Sequence, residues 1–133
     1  MQINWLSNKA SSLSRGFPEK MVILDCETTG GNALRHRIIE IGAILVDQGK
    51  ITGSWQSLCN PERHLPESIQ RLTGISPAML ENAPTFSDIS HELFDLIEGR
   101  IFVAHNARFD FSFLKNQFDR EGIRFNLKPL CSV

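Results

Sequence analysis

Residues 21–31 read MVILDCETTGG, and the fold turns on how this stretch is taken. An apolar run, Met21-Val22-Ile23-Leu24, leads into two carboxylates, Asp25 and Glu27, and then breaks at Thr28-Thr29-Gly30-Gly31. Such a run predicts a strand inside a sheet. Side chains alternate along a strand, so Asp25 and Glu27 share one face, with Cα atoms roughly 6.5 to 7 Å apart. Cys26 then points to the opposite face as a buried spacer. Two like charges held together in a partly dry place repel, and each is driven towards protonation. A divalent cation removes the conflict, and hard oxygen donors favour Mg²⁺ or Mn²⁺ over zinc or copper. Taken alone, the same pair also fits two solvated acids with no ligand.

Working outward, RIIEIGAILVD (37–47) and ITGSWQSLCN (51–60) predict two further strands, joined by a hairpin at Gly49-Lys50. PESIQRLTG (66–74) predicts a short helix after Pro66, and SPAML (76–80) another turn of helix. Thr85 and Asp88 have the spacing of a capping box, and Phe86, Ile89, Leu93, Leu96 and Ile97 fall on one face of the helix that follows, which Gly99 ends. RIFVAHN (100–106) predicts a fourth strand. A helix over 108–121 carries an apolar stripe of Phe111, Leu114 and Phe118 and stops at Gly122; LKPLCSV (127–133) predicts a fifth strand. Three strands followed by helix, strand, helix, strand describe an α/β domain around a mixed five-stranded sheet with helices on its faces. Residues 1–18 form an N-terminal arm and 19–133 the domain. No helix follows the last strand to cover the sheet, so C-terminal helices are missing, and a bare apolar face is expected to promote self-association.

Bulk composition narrows the function. The 133 residues suit one domain with a real core, 41% are hydrophobic and 22% charged, and the net charge is −1. That charge excludes the broad cationic field of a non-specific duplex binder, so any nucleic acid is held locally, over few phosphates. Cys26, Cys59 and Cys131 form no CxxC pair, which argues against a zinc site or a disulfide framework and for a reducing cytoplasm. No apolar stretch is long enough to span a bilayer, and the first twenty residues lack the apolar centre of a secretory signal.

A second strand end strengthens the metal reading. FVAHNARFD (102–110) is again an apolar run that turns polar, and it places Asp110 at the start of a helix. Ligands of open α/β sheets bind beyond the carboxyl ends of strands. If the first and fourth strands are parallel neighbours, Asp25, Glu27 and Asp110 meet at one edge. Asp110 alone is also explained as an acid favoured in a first helical turn.

LDCETTG, HRIIEIGA, LTGIS and VAHNARFD, in this order and spacing, resemble the DEDD 3′→5′ exonucleases, which include proofreading subunits of bacterial replicative DNA polymerases, oligoribonucleases and tRNA-trimming enzymes. The resemblance runs from about residue 21 to 133. It implies a ribonuclease-H-like fold and two-metal phosphodiester hydrolysis at the 3′ end of single-stranded nucleic acid, DNA rather than RNA, in proofreading or repair. By resemblance Asp25 bridges two Mg²⁺ or Mn²⁺ ions, Glu27 binds the nucleophile-side ion and Asp110 holds the other. The family's third motif, H-x-x-x-x-D or Y-x-x-x-D in a late helix, is absent, so the general base and fourth acid are missing and this fragment is expected to be inactive. His105 and Asp110 have the first of those spacings but lie inside the second motif, so His105 is read as orienting or structural.

Substrate contacts by resemblance are the turn Thr28, Thr29 and Gly30, the wedge residues Leu72, Thr73 and Ile75, and Asn106 and Phe109. Each has a plainer reading: a strand-to-loop turn for the threonines, core packing for Leu72 and Phe109, and a fixed strand-to-helix turn for Asn106. Arg35, His36 and Arg37 meet phosphate or form an ordinary solvated loop. Glu40 interrupts an apolar strand and needs a partner that the sequence does not name. An RNA-directed exonuclease and a catalytically dead docking module of a polymerase or repair assembly remain as alternatives.

Overall fold

A computed structural model describes residues 20–125 and 129–131, together with Leu6. Expectations for the rest of the N-terminal arm and for 126–128 and 132–133 lie outside the described residues. The elements in order are β1 (Met21–Thr28), β2 (Ile38–Asp47), β3 (Lys50–Leu58), α1 (Glu67–Thr73), α2 (Pro77–Glu81), α3 (Phe86–Ile97), β4 (Ile101–Ala104), α4 (Ala107–Arg120) and β5 (Pro129–Cys131). The strands make a mixed five-stranded sheet in the order β3-β2-β1-β4-β5. β1, β2 and β3 pair antiparallel, whereas β4 runs parallel to both β1 and β5.

Local chemistry explains most boundaries. Asp47 pairs with Lys50, so the hairpin turn is Gln48-Gly49, one residue earlier than the sequence suggested. Both turn residues have positive φ, 51° and 80°, and that left-handed geometry matches the twist of the flanking strands. At the start of α3 the Thr85 hydroxyl accepts from the Asp88 amide at 3.2 Å, and Asp88 accepts from the Thr85 amide at 3.0 Å. This is the expected capping box.

The sheet buries both faces. On one, Val22, Leu24, Cys26, Ile41 and Ala43 pack under α3 and α4, against Leu93, Ile97, Phe113, Leu114 and Phe118. The buried stripe of α4 is therefore centred on Phe113 rather than Phe111, which is half-buried and leans on Phe102 and Phe125. On the other face Met21, Ile23, Ile44, Val46 and Val103 join Leu6, and none of the six is more than 8% exposed. The expectation of a bare apolar patch fails for these residues, because a side chain of the N-terminal segment packs on them. Ile39, Leu65, Ile75 and Leu80 make a smaller cluster where α1 and α2 dock. Among the described residues no helix is long and apolar enough to cross a membrane.

One irregularity matters for the site. Glu27 pairs with Glu40, but Thr28 pairs with Ile38, leaving Ile39 as the extra residue of a β-bulge. The Ile38 amide donates to the buried Gln117 Oε1 at 2.7 Å, so a side chain of α4 fixes the bulge.

Candidate active site

β1 and β4 set the site by their register. Leu24 pairs with Ala104, so β4 ends level with Leu24 while β1 runs on to Thr28, and the chain leaves β4 through His105 into α4. Asp25 and Glu27 are half-buried at the end of β1, and Asp110 is buried in the first turn of α4. Asp110 takes hydrogen bonds from the thiol and backbone of Cys26, the residue between the other two acids. Cys26 is thus buried as expected, and it also holds the third acid against the strand.

The electrostatics reflect crowding by like charge. Burial pushes Asp110 up to about 8, and neighbouring Asp25 and Glu27 add to the rise. Burial also raises Asp25, opposed by nearby His105, and raises Glu27 together with the charge of Asp25. A fourth acid that sequence reasoning left without a partner joins this edge. Glu40 faces Glu27 across the β1–β2 ladder and adds to the rise of both Asp25 and Glu27. Its Oε2 accepts from Gln56 Nε2 at 3.2 Å. Gln56 pairs with Gly42, two residues on from Glu40, so only the strand register reveals this partner.

These acids suit a hard cation by donor chemistry, since all are carboxylates and binding would relieve their repulsion. They are not drawn into a closed cage. Among the described residues no group of three or more His, Cys, Asp or Glu side chains is gathered tightly enough to hold an ion.

The turn after the acids is built for rigidity. The Thr28 hydroxyl donates to the Gly30 carbonyl at 2.7 Å. The Thr29 hydroxyl accepts from the Arg37 amide at 3.0 Å and lies 3.1 Å from His36 Nδ1. Both threonine side chains are buried and occupied, which matches the plainer reading of them as turn residues. A Cβ on Gly30 would come within 2.5 Å of the His36 ring, so the close approach that glycine permits here is that of His36.

Beside the turn lies a cleft of about 250 Å³, walled by Glu27, Thr28, Gly30 and Gly31 on one side and by Ile69, Leu72, Thr73 and Phe109 on the other. Leu72 is 80% exposed, so it is not the core residue of its plainer reading. Thr73 lines the cleft while its hydroxyl donates to the Ile69 carbonyl. Ile75 differs: at 3% exposure it belongs to the cluster with Ile39 and Leu80, and its side chain is removed from substrate contact. Asn106 stands at the N-cap of α4 with an exposed side chain that makes no capping hydrogen bond, which removes its expected role in fixing the turn.

Comparison with known proteins gives the family and the fold. The sequence model of the RNase_T family, described as exonuclease, matches residues 22–128. The 3′-5′ exonuclease DinG of Bacillus subtilis is 37% identical over 116 residues, covering 86% of this chain and 12% of that protein. A PolC-type DNA polymerase III of Caldanaerobacter subterraneus is 35% identical over 104 residues, 78% of this chain and 7% of the polymerase. The chain thus spans about an eighth or less of the length of these relatives. A zinc-bound complex of Escherichia coli exonuclease I with single-stranded DNA superposes with a TM-score of 0.73 at 20% identity, over 81% of this chain and 25% of that one. At that identity the likeness speaks for the ribonuclease-H-like fold.

Proposed function

This chain belongs to the RNase_T exonuclease family, and we propose that it supplies the metal-binding half of a 3′→5′ exonuclease site acting on single-stranded DNA ends, in proofreading or repair. The reading rests on the mutual electrostatic influence of Asp25, Glu27 and Asp110, near the end of β1 and the start of α4, with a carboxyl group raised to about 8 among them. An uncompensated acid cluster is costly to a fold, and a cation supplies the missing charge. In this proposal Asp25, Glu27 and Asp110 hold two Mg²⁺ or Mn²⁺ ions. Bound divalent ions supply Lewis acidity and charge neutralisation for in-line phosphodiester hydrolysis.

The chain's own groups do the rest. The Thr28–Gly30 turn presents backbone to the terminal nucleotide, held by its internal hydrogen bonds and by His36. Leu72 and Phe109, across the cleft, meet the terminal base. His105, exposed next to Asp25, helps to hold that acid ionised. Residues 111–133 contain no histidine or tyrosine to take the proton from water. Lack of a general base lowers hydrolysis by about 10²- to 10⁴-fold, so we expect these residues alone to bind metal and digest poorly. A cytoplasmic location, suggested by the scattered cysteines, goes with this reading.

The test is a Mn²⁺ titration followed by thermal denaturation of the chain and of Asp25→Ala. The parent should gain stability with metal, while the variant should be the more stable of the two without metal and insensitive to it. Equal metal responses would remove the catalytic reading and favour a docking module that has kept the fold.

A further inference from the structure

Away from the acids, arginines from three separate parts of the chain converge on the β1–β2 loop. Arg63, between β3 and α1, donates to the Arg35 carbonyl. Arg120, at the end of α4, donates to the carbonyls of Ala33 and Leu34 at 3.3 and 3.2 Å. Arg37 donates to the His36 carbonyl at 3.0 Å. Each guanidinium carries five N–H donors, so these contacts leave most of them unspent. Arg35, Arg63 and Arg120 are exposed. Arg37 and Arg120 line a cleft of about 160 Å³ together with Asn60, Ser87 and Gln117.

Like charges gathered in this way need an anion. Glu62 and Glu121 also border the cleft, but among the described residues no ion pair joins either of them to these arginines. Burial, and after it the charges of Arg120 and Arg63, lower the pKa of Arg37, so its neighbouring arginines add like charge at that position. In a protein of net charge −1 the concentration of cations on one loop is local and specific. Its position narrows the ligand. The Arg37 amide donates to the Thr29 hydroxyl, and the Arg37 carbonyl accepts from the Thr29 amide at 2.8 Å, so the cluster abuts the turn that follows Asp25 and Glu27. The cluster is therefore joined through backbone hydrogen bonds to the turn beside the acids.

We propose that Arg35, Arg37, Arg63 and Arg120 form a second, sequence-independent contact that grips the phosphodiester backbone of the single strand upstream of its 3′ end. This inference rests on the exonuclease reading for the identity of the strand, but its test does not pass through metal or hydrolysis. Planar guanidinium forks match phosphate oxygens, and binding to phosphates is read by its salt dependence.

The experiment is a salt series of anisotropy titrations with a 5′-labelled oligothymidylate in EDTA, using the full chain. Each phosphate contact contributes about 0.7 to the slope of log affinity against log salt for single strands, so Arg63→Gln with Arg120→Gln should flatten the slope by about 1.4. Arg63→Lys with Arg120→Lys keeps the charge but loses the fork to the loop carbonyls, and should keep the slope. Absence of binding by the parent, or an unchanged slope in the glutamine variant, overturns the proposal. Equal losses in the glutamine and lysine variants overturn it too, because they mean that the arginines only strap the loop. A thermal stabilisation by inorganic phosphate that needs the arginines, with an unchanged oligonucleotide slope, assigns a free-anion site instead. Lys50→Gln, exposed at the β2–β3 hairpin, should leave the slope unaltered, and because the titration is made in EDTA a failure of the acid site and a failure of the arginine contact are separately visible.

Discussion

The two ends of β1 handle charge in opposite ways. At its start, Arg100 pairs with Asp47 and also donates to the carbonyls of Leu96 and Met21, tying α3, β1 and β2 together. There the guanidinium lowers the pKa of Asp47. At its other end Asp25, Glu27, Glu40 and Asp110 crowd one edge, where burial and the charges of neighbouring acids raise Asp25 and Glu27 and lift Asp110 to about 8. One end is neutralised by the fold. The other keeps its acids crowded and raised, the kind of perturbation that carboxyl groups at functional sites show.

Removing the latch should give the largest change. Arg100→Ala strands a carboxylate whose side chain is 28% exposed and two backbone carbonyls that lose their donor. The expected cost is about 2 kcal/mol in urea denaturation, because the pair is only partly buried and the two carbonyls each lose a donor. If the loss is near zero, the start of β1 is no more settled than its end.

The acid end should respond with the reverse sign. Asp110 has an ordinary value of 3.8 and a folded value of about 8. Between those limits the folded chain holds a proton that the unfolded chain has released, so metal-free stability falls as pH rises from about 4 to 8. Asp47, being depressed, contributes stability above its ordinary value that is lost as pH falls through its folded one. Asp110→Asn should flatten the slope and stabilise the metal-free protein by about 2 kcal/mol at pH 8, while abolishing the response to Mn²⁺. A variant that is less stable than its parent at pH 8 would mean that the hydrogen bonds from Cys26 outweigh the repulsion.

The same contrast explains how much could be read in advance. Strand order, the Thr85–Asp88 box and the ending of two strands in acids are local patterns, and each survives in the fold. The parallel pairing of β1 with β4 entered the sequence reading only as a condition, and it is present. What escaped were contacts that need register or distant packing. Gln56 reaches Glu40 only through the β2–β3 ladder, and Gln117 reaches the bulge across 79 residues of sequence. Ile75 and Leu72 are both apolar residues of one short segment, yet one is buried and the other exposed. Nothing in their identities separates them; the docking angle of α1 and α2 does.

The turn after the acids offers a finer test of rigidity. Gly30 does not have positive φ, so an alanine there meets sterics alone, from a ring 2.5 Å away. Gly30→Ala should cost about 1 to 2 kcal/mol. Adding His36→Ala should recover most of that loss, a coupling that a double-mutant cycle reads directly. Independent, additive losses would place His36 outside the support of the turn.

The smallest effect on stability should come from Leu72. With 80% of its surface exposed, Leu72→Ala removes little packing, and its unfolding free energy should change by less than about 0.5 kcal/mol. Exposed leucines are unremarkable on their own, and this one acquires meaning from the cleft it shares with Glu27 and Gly30. If it packs on the terminal base, truncation should cost about 1 kcal/mol of binding to a single-stranded 3′ end in Mn²⁺, and nothing for a strand blocked at that end. Stability and binding then separate at one residue. A loss of both would return Leu72 to the core, and a loss of neither would leave the cleft wall without a part in recognition.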